Sequence, residues 1–148
     1  MLDGRTEGTM RMLMWIAGAI VLLVLLADAW IRLAPSDPLR WHVDPQVTRN
    51  EDLPNGVRRL QPTWPDGLAK LDALVMDTPR TKWLAGSVRA GMVTYVTRSL
   101  VWGFPDYTTV LMADGKLEIY GRARFGQSDM GVNKARVDGW IAELTKDD

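Results

Sequence analysis

The chain has 148 residues, enough for one membrane segment and one small domain, and its 18 basic residues balance 18 acidic ones. That balance gives no bulk electrostatic case for nucleic acid. Cysteine is absent and histidine occurs once, which excludes disulfides, a cysteine nucleophile and Cys/His clusters for zinc or haem, so no metal and no cofactor are expected.

Taken in order, residues 1–11 read as a short tail and residues 12–33 as a transmembrane helix. Residues 12–27 carry no charge, and the apolar character resumes after Asp28. The stretch would span roughly 33 Å at 1.5 Å per residue, enough for a hydrocarbon core of about 30 Å. Trp15 and Trp30 fall at interface positions. Asp28 and Arg32 share a helix face and are expected to pair near the headgroups. Arg11, the apolar run and Ala27-Asp28-Ala29 also imitate a cleavable signal peptide. The chain retains this segment from Met1, and an uncleaved anchor is expected. Arg5, Arg11 and the amino terminus nearly balance Arg32 and Arg40 in the positive-inside count. The signal-like order decides the expectation: N-terminus in the cytoplasm, single pass through a bacterial inner membrane, and C-terminal domain in the periplasm. Ala17 and Gly18 would let a partner's helix approach.

Residues 34–62 contain Pro35, Pro38, Pro45, Pro54 and Pro62. Proline removes backbone donors and restricts its predecessor, so an extended linker is expected. Trp41, Val43, Val47, Leu53, Val57 and Leu60 are too apolar for a free tether. The segment should lie along the domain or a neighbour, with Trp41 as a candidate protein contact. His42, alone beside Trp41, reads as an ordinary packed or interfacial histidine and not as a ligand or pH switch.

Residues 63–148 read as a soluble α+β domain: with the anchor, one transmembrane helix followed by a small antiparallel sheet packed against two helices. Thr63-Trp64-Pro65-Asp66 resembles a helix start. Leu68, Leu71, Leu74 and Val75 then recur at helical spacing until Asp77-Thr78-Pro79. Strands are predicted over residues 81–87 and 92–99. Asp114-Gly115 between two alternating runs is a strong hairpin signal. A two-residue turn pairs Ala113 with Lys116. Met112, Val110 and Thr108 then face Leu117, Ile119 and Gly121 on the apolar side. Leu111, Thr109 and Tyr107 face Glu118, Tyr120 and Arg122 on the other, because strand side chains alternate.

That second face gathers Tyr107, Arg122 and Arg124, with Arg98 on the neighbouring strand. Forked guanidinium donors suit a carboxylate or phosphate, so these four residues form a candidate anion site. The alternative is a structural ion-pair and capping network of Asp106, Ser128, Asp129, Asn133 and Arg136, in which the aspartates neutralise the arginines. Arginines so placed would hold both carboxyls below their ordinary pKa range, suiting salt bridges better than acid catalysis. The last helix carries Val137, Trp140, Ile141 and Leu144 on one face. Ala135, Gly139 and Ala142 form a small-residue stripe on the other, a further candidate protein contact.

The elements Thr94-Tyr95-Val96-Thr97-Arg98-Ser99, Gly103-Phe104-Pro105-Asp106-Tyr107 and Gly126-Gln127-Ser128-Asp129-Met130-Gly131-Val132-Asn133, with Arg122, Arg124 and Arg136, resemble a family of bacteria and photosynthetic organelles: domain of unknown function fourteen ninety-nine. The resemblance covers roughly residues 64–144. It implies a compact α+β domain and supplies no activity. The family usually has Ser-Arg-Ser-Arg where this chain has Gly121-Arg122-Ala123-Arg124.

No Gly-x-Ser-x-Gly elbow or phosphate loop is present, and the one histidine lies outside these motifs, so no enzyme is expected. Two readings stay open. In the preferred one the chain is a non-catalytic accessory subunit of a larger inner-membrane assembly, such as an energy-transducing complex, with the lipid bilayer and integral-membrane proteins as partners. In the other, the periplasmic domain binds an anionic small molecule or lipid headgroup through its arginines.

Overall fold

The computed structural model describes residues 4–62 and 64–146; the expected cap residue Thr63 lies outside them. The chain divides into two compact units, Met1–Ala34 and Pro35–Asp148.

The first unit is helix α1 (Gly4–Leu33). Helix already runs at Gly4, so most of the expected tail is its first turns: Glu7, Met10 and Arg11 are good helix formers, and nothing there stops one. Thr6–Leu33 is long and apolar enough to cross a membrane. Leu23, Val24, Leu25 and Leu26 are all exposed, so consecutive apolar side chains look outward around the whole helix. Arg32 Nε donates to Asp28 Oδ2 at 2.7 Å, the expected i,i+4 pair.

The second unit opens with the one-turn helix α2 (Pro38–Trp41). Asp37 caps it by accepting from Leu39 N, with Pro38 pre-set for the first helical position. After an extended run come β1 (Glu51–Leu53), β2 (Gly56–Pro62), α3 (Gly67–Asp77), β3 (Thr81–Ser87), β4 (Met92–Arg98), β5 (Pro105–Ala113), β6 (Lys116–Ala123) and α4 (Val132–Leu144). The six strands form one sheet in the order β1-β2-β6-β5-β4-β3, every neighbour antiparallel.

The expected linker over 34–62 needs correction. Its second half supplies two strands, and β2 pairs along its whole length with β6. Prolines concealed this, yet Pro54 opens the β1–β2 turn and Pro62 ends β2, positions where a missing donor does no harm. The first half is a strap lying across the sheet.

The β5–β6 hairpin has the register expected from its turn, Ala113 opposite Lys116 through Tyr107 opposite Arg122. Asp114 (φ 50°) and Gly115 (φ 69°) both take the left-handed backbone that a type I′ turn demands. Alternation then gives the sheet two faces. Val57, Val93, Tyr95, Val110, Leu117 and Ile119 meet Leu68, Leu71 and Val75 of α3 and Val137, Trp140 and Leu144 of α4 in the main core. Tyr107 and Val96 project the other way and pack with Trp41 and Leu84.

Candidate functional site

The strap face is built around Arg122. Its side chain leaves β6 one residue before the strand ends, on the side away from the helices, and is buried. Nη2 donates to the Trp41 carbonyl at 2.7 Å, and Nη1 to Thr109 Oγ1 at 3.4 Å. The guanidinium lies 4.7 Å from the Tyr120 ring centroid and 5.3 Å from that of Trp41. A second guanidinium, that of Arg58, lies 4.7 Å from the Tyr120 ring centroid. Among the described residues no carboxylate pairs with Arg122, and burial lowers its pKa from the ordinary guanidinium range. A charge held this way depends on ring quadrupoles and carbonyl dipoles instead of a counter-ion.

Trp41 roofs this arrangement. Its ring stacks on Tyr107 with centroids 3.9 Å apart and planes 10° from parallel. Tyr107 OH shares a 2.8 Å hydrogen bond with Ser36 Oγ, and Arg124 Nη1 donates to the Pro35 carbonyl at 2.8 Å. Further along, Glu118 Oε2 accepts from Val47 N at 2.7 Å. Apart from the single turn of α2, whose last carbonyls have no partner within the helix, the strap is irregular backbone, so its carbonyls and N–H groups have no ladder partner and must find side-chain donors and acceptors. Arg122, Arg124, Thr109 and Glu118 supply them.

His42 joins the same network. Its Nδ1 lies 2.9 Å from Thr94 Oγ1, which lies 3.0 Å from Thr109 Oγ1, which in turn donates to the Trp41 carbonyl at 3.2 Å. Each hydroxyl has one proton to give. With Thr109 committed to the carbonyl, Thr94 must donate to Thr109 and His42 Nδ1 must carry a proton for Thr94. The single histidine is therefore a strap fastener with a defined donor nitrogen.

The expected aspartate network lies across the sheet from these arginines. Asp106 sits opposite Ala123 in the hairpin, one residue out of phase with Tyr107 and Arg122, so it points toward the helices. Arg136 Nη1 and Nη2 both donate to Asp106 Oδ2 at 3.2 Å, and Arg136 Nη1 also reaches Asn133 Oδ1 at 3.1 Å. Asp129 Oδ2 accepts from Asn133 N at 3.0 Å and Asn133 Nδ2 at 2.8 Å, satisfying donors at the start of α4. Ser128 Oγ accepts from Met130 N. Asp106, Ser128, Asp129, Asn133 and Arg136 are thus gathered around one helix end. The proposed neutralisation of Arg122 and Arg124 by the aspartates does not occur, because the sheet separates them. Burial also raises the Asp106 pKa, outweighing Arg136, against the depression expected above.

Arg98 donates to the Gly103 carbonyl at 2.9 Å. Trp41, expected as a protein contact, is spent inside the domain. Ala135, Gly139 and Ala142 are exposed, and a Cβ on Gly139 would meet nothing within 4 Å. Gly18 is likewise open on α1.

Two features escaped sequence reasoning. Arg59, buried on the helix face, donates Nε to Asp138 Oδ1 at 2.6 Å and Nη2 to Asp138 Oδ2 at 3.0 Å and Asp52 at 2.7 Å, clamping α4 to the β1–β2 edge. The arginine's hydrogen bonds, before all else, hold Asp138 below the ordinary carboxylate range. Alternation from Val57 put Arg59 on the core side, and that was the available signal. The other feature is the exposed run Leu100-Val101-Trp102, signalled by consecutive apolar residues in a loop between strands.

An antiparallel sheet with two helices on one face and a side-chain-fastened strap on the other, following an N-terminal apolar helix in the chain, defines the class: a strapped α+β domain. The chain belongs to the family described as Protein of unknown function (DUF1499), whose model matches residues 36–144. That match begins in the strap, ahead of the region where the sequence likeness was first legible, in keeping with a strap that is part of the folded unit. No curated protein and no solved structure matches the chain significantly.

Proposed function

We propose that this chain is a membrane-anchored, non-catalytic accessory subunit of a larger inner-membrane assembly, its strapped domain held on the periplasmic side. The observation that carries this reading is α1, whose apolar side chains face outward all round along Thr6–Leu33. A helix of that kind needs lipid or other helices around it. The open small-residue positions Ala17 and Gly18 on α1, and Ala135, Gly139 and Ala142 on α4, are where a partner's backbone would approach closely.

A non-catalytic role draws its support from what the polar side chains do. The charged groups around Arg122 and Asp106 are committed to holding the strap and the start of α4. Arg98, Arg122 and Arg124 each donate to a backbone carbonyl within the domain, which favours this reading over anion capture.

Extraction in a mild detergent, native affinity purification and mass spectrometry test the proposal. A stoichiometric integral-membrane partner is the expected result. Recovery of a lone monomer, or of the chain in the soluble fraction, would defeat it.

A further inference from the structure

The two ends of the sheet differ in kind. At one end lie the β3–β4 turn with Arg89 and the β5–β6 turn with Asp114 and Lys116, all three exposed, where the large apolar side chains Val88 and Met112 show only 36% and 38% of their surface. At the other, the loop before β5 and the segment after β6 present Leu100 (72% exposed), Val101, Trp102 and Met130 (91% exposed). Together with Phe104 and Phe125, these side chains line a largely apolar groove of about 550 Å³. A contiguous exposed apolar surface of this kind marks an interaction site.

The covalent chain says what covers it. The apolar span of α1 ends at Leu33. Two residues later, the Pro35 carbonyl is held by Arg124 Nη1 at 2.8 Å, and Arg124 N donates to the Pro105 carbonyl at 3.2 Å. Pro105 and Arg124 are the sequence neighbours of Phe104 and Phe125, whose rings lie 6.0 Å apart in the groove. Two residues of chain reach at most about 7 Å, whatever path they take. The strap is therefore fastened to the apolar end of the sheet within two residues of the end of the apolar span, while the other turns lie a strand length along the sheet from that point, roughly 30 Å for β5. Arg80 Nε donates to the Arg98 carbonyl, which places its guanidinium at this same end together with that of Arg124. Basic side chains there suit lipid phosphates, and Trp102 suits the headgroup layer.

We propose that the 99–104 loop and the segment around Met130 dip into the outer interface of the bilayer that holds α1. The lipid surface is then this groove's occupant, and the domain rests on the membrane instead of hanging from it. This inference rests on the anchored reading above.

The absence of cysteine makes the test direct, because single cysteines can be placed and labelled one at a time. The full chain carrying Leu100→Cys, Met130→Cys, Lys116→Cys or Leu23→Cys would be labelled with an environment-sensitive fluorophore. Each would be reconstituted into phosphatidylethanolamine/phosphatidylglycerol vesicles containing nitroxide-bearing lipids. Leu100 and Met130 are exposed, so their replacement leaves the core intact. Labels at Leu100 and Met130 should be quenched severalfold more than the label at Lys116. Quenching at Leu23 with none at Leu100 or Met130 overturns the inference and leaves the anchor standing. No quenching at Leu23 overturns the anchored reading itself, and this one with it. Label–label self-quenching at Met130 without lipid quenching would assign the groove to a second copy, also overturning it.

Discussion

The two faces of the sheet solve one problem in different ways. On the helix face, apolar side chains of the strands meet those of α3 and α4, and helical backbone satisfies its own polar groups. On the strap face the covering chain is irregular, so its backbone must be satisfied by the sheet's side chains. Regular secondary structure can be covered by hydrocarbon alone, whereas an irregular cover needs donors and acceptors aimed at it. This is why buried Arg122 reaches a carbonyl, a threonine hydroxyl and two aromatic rings, and no carboxylate among the described residues.

The largest effect that tests this contrast should come from Trp41→Ala. Truncating a buried aromatic costs about 3–5 kcal/mol, and here it also strips one ring from beside Arg122 and the stacking partner from Tyr107. Urea unfolding of the full chain in detergent reads this loss. Hydrogen exchange should rise first along the strap and later in α3 and α4. A loss below about 1 kcal/mol would mean that the strap is a loose cover, and the comparison between faces would fail.

Much of the architecture was legible because β5 and β6 flank Asp114-Gly115, which leaves one register, while β3 and β4 are rich in valine, threonine and aromatic residues. The same register already placed Asp106 on the opposite face from Arg122, so pairing them ignored the alternation. Arg136 lies a full helix entry away in the chain, and nothing local announces it as the aspartate's partner. β1 and β2 were hidden because prolines bracket them and consecutive Arg58 and Arg59 mask a strand pattern. The fate of Trp41 depended on Tyr107, distant in sequence and buried only once the sheet exists.

A second, smaller effect lies within the helix face. Asp138 has its pKa lowered by Arg59, so its contribution is present above the ordinary aspartate range and is lost as pH falls through the depressed value. Asp106 has its pKa raised by burial, so the domain loses stability from it as pH rises from the ordinary value through the raised one. The two carboxyls therefore tilt the pH profile in opposite senses. Asp138→Asn should lower the midpoint of thermal unfolding at neutral pH and converge with the unmodified chain in strong acid, where Asp138 is protonated anyway. Melting curves across pH check this. Parallel curves that never converge would show that Asp138 acts through packing and not through its charge.

The smallest effect sharpens the contrast at one atom. Thr108 Oγ1 is buried on the helix face with no hydrogen-bond partner among the described residues, and its cross-strand neighbour is Gly121. Sequences resembling this family carry serine there, so their hydroxyl would face Thr108 and the helices, across the sheet from the arginines. A Cβ on Gly121 would come within 3.3 Å of Asn133 Oδ1 and Val137 Cγ2, close enough that both must yield slightly. Glycine inside a strand forfeits roughly 0.5–1 kcal/mol against alanine, and cross-strand hydroxyl pairs contribute about 0.2–1 kcal/mol. Gly121→Ser should therefore stabilise the domain by up to about 1 kcal/mol if Asn133 moves aside. Gly121→Val, with the same backbone gain but a second branch driven into Val137 and no hydroxyl, should destabilise it. Equal effects of the two substitutions would mean that backbone entropy alone decides at this position and that the unpartnered threonine hydroxyl counts for nothing.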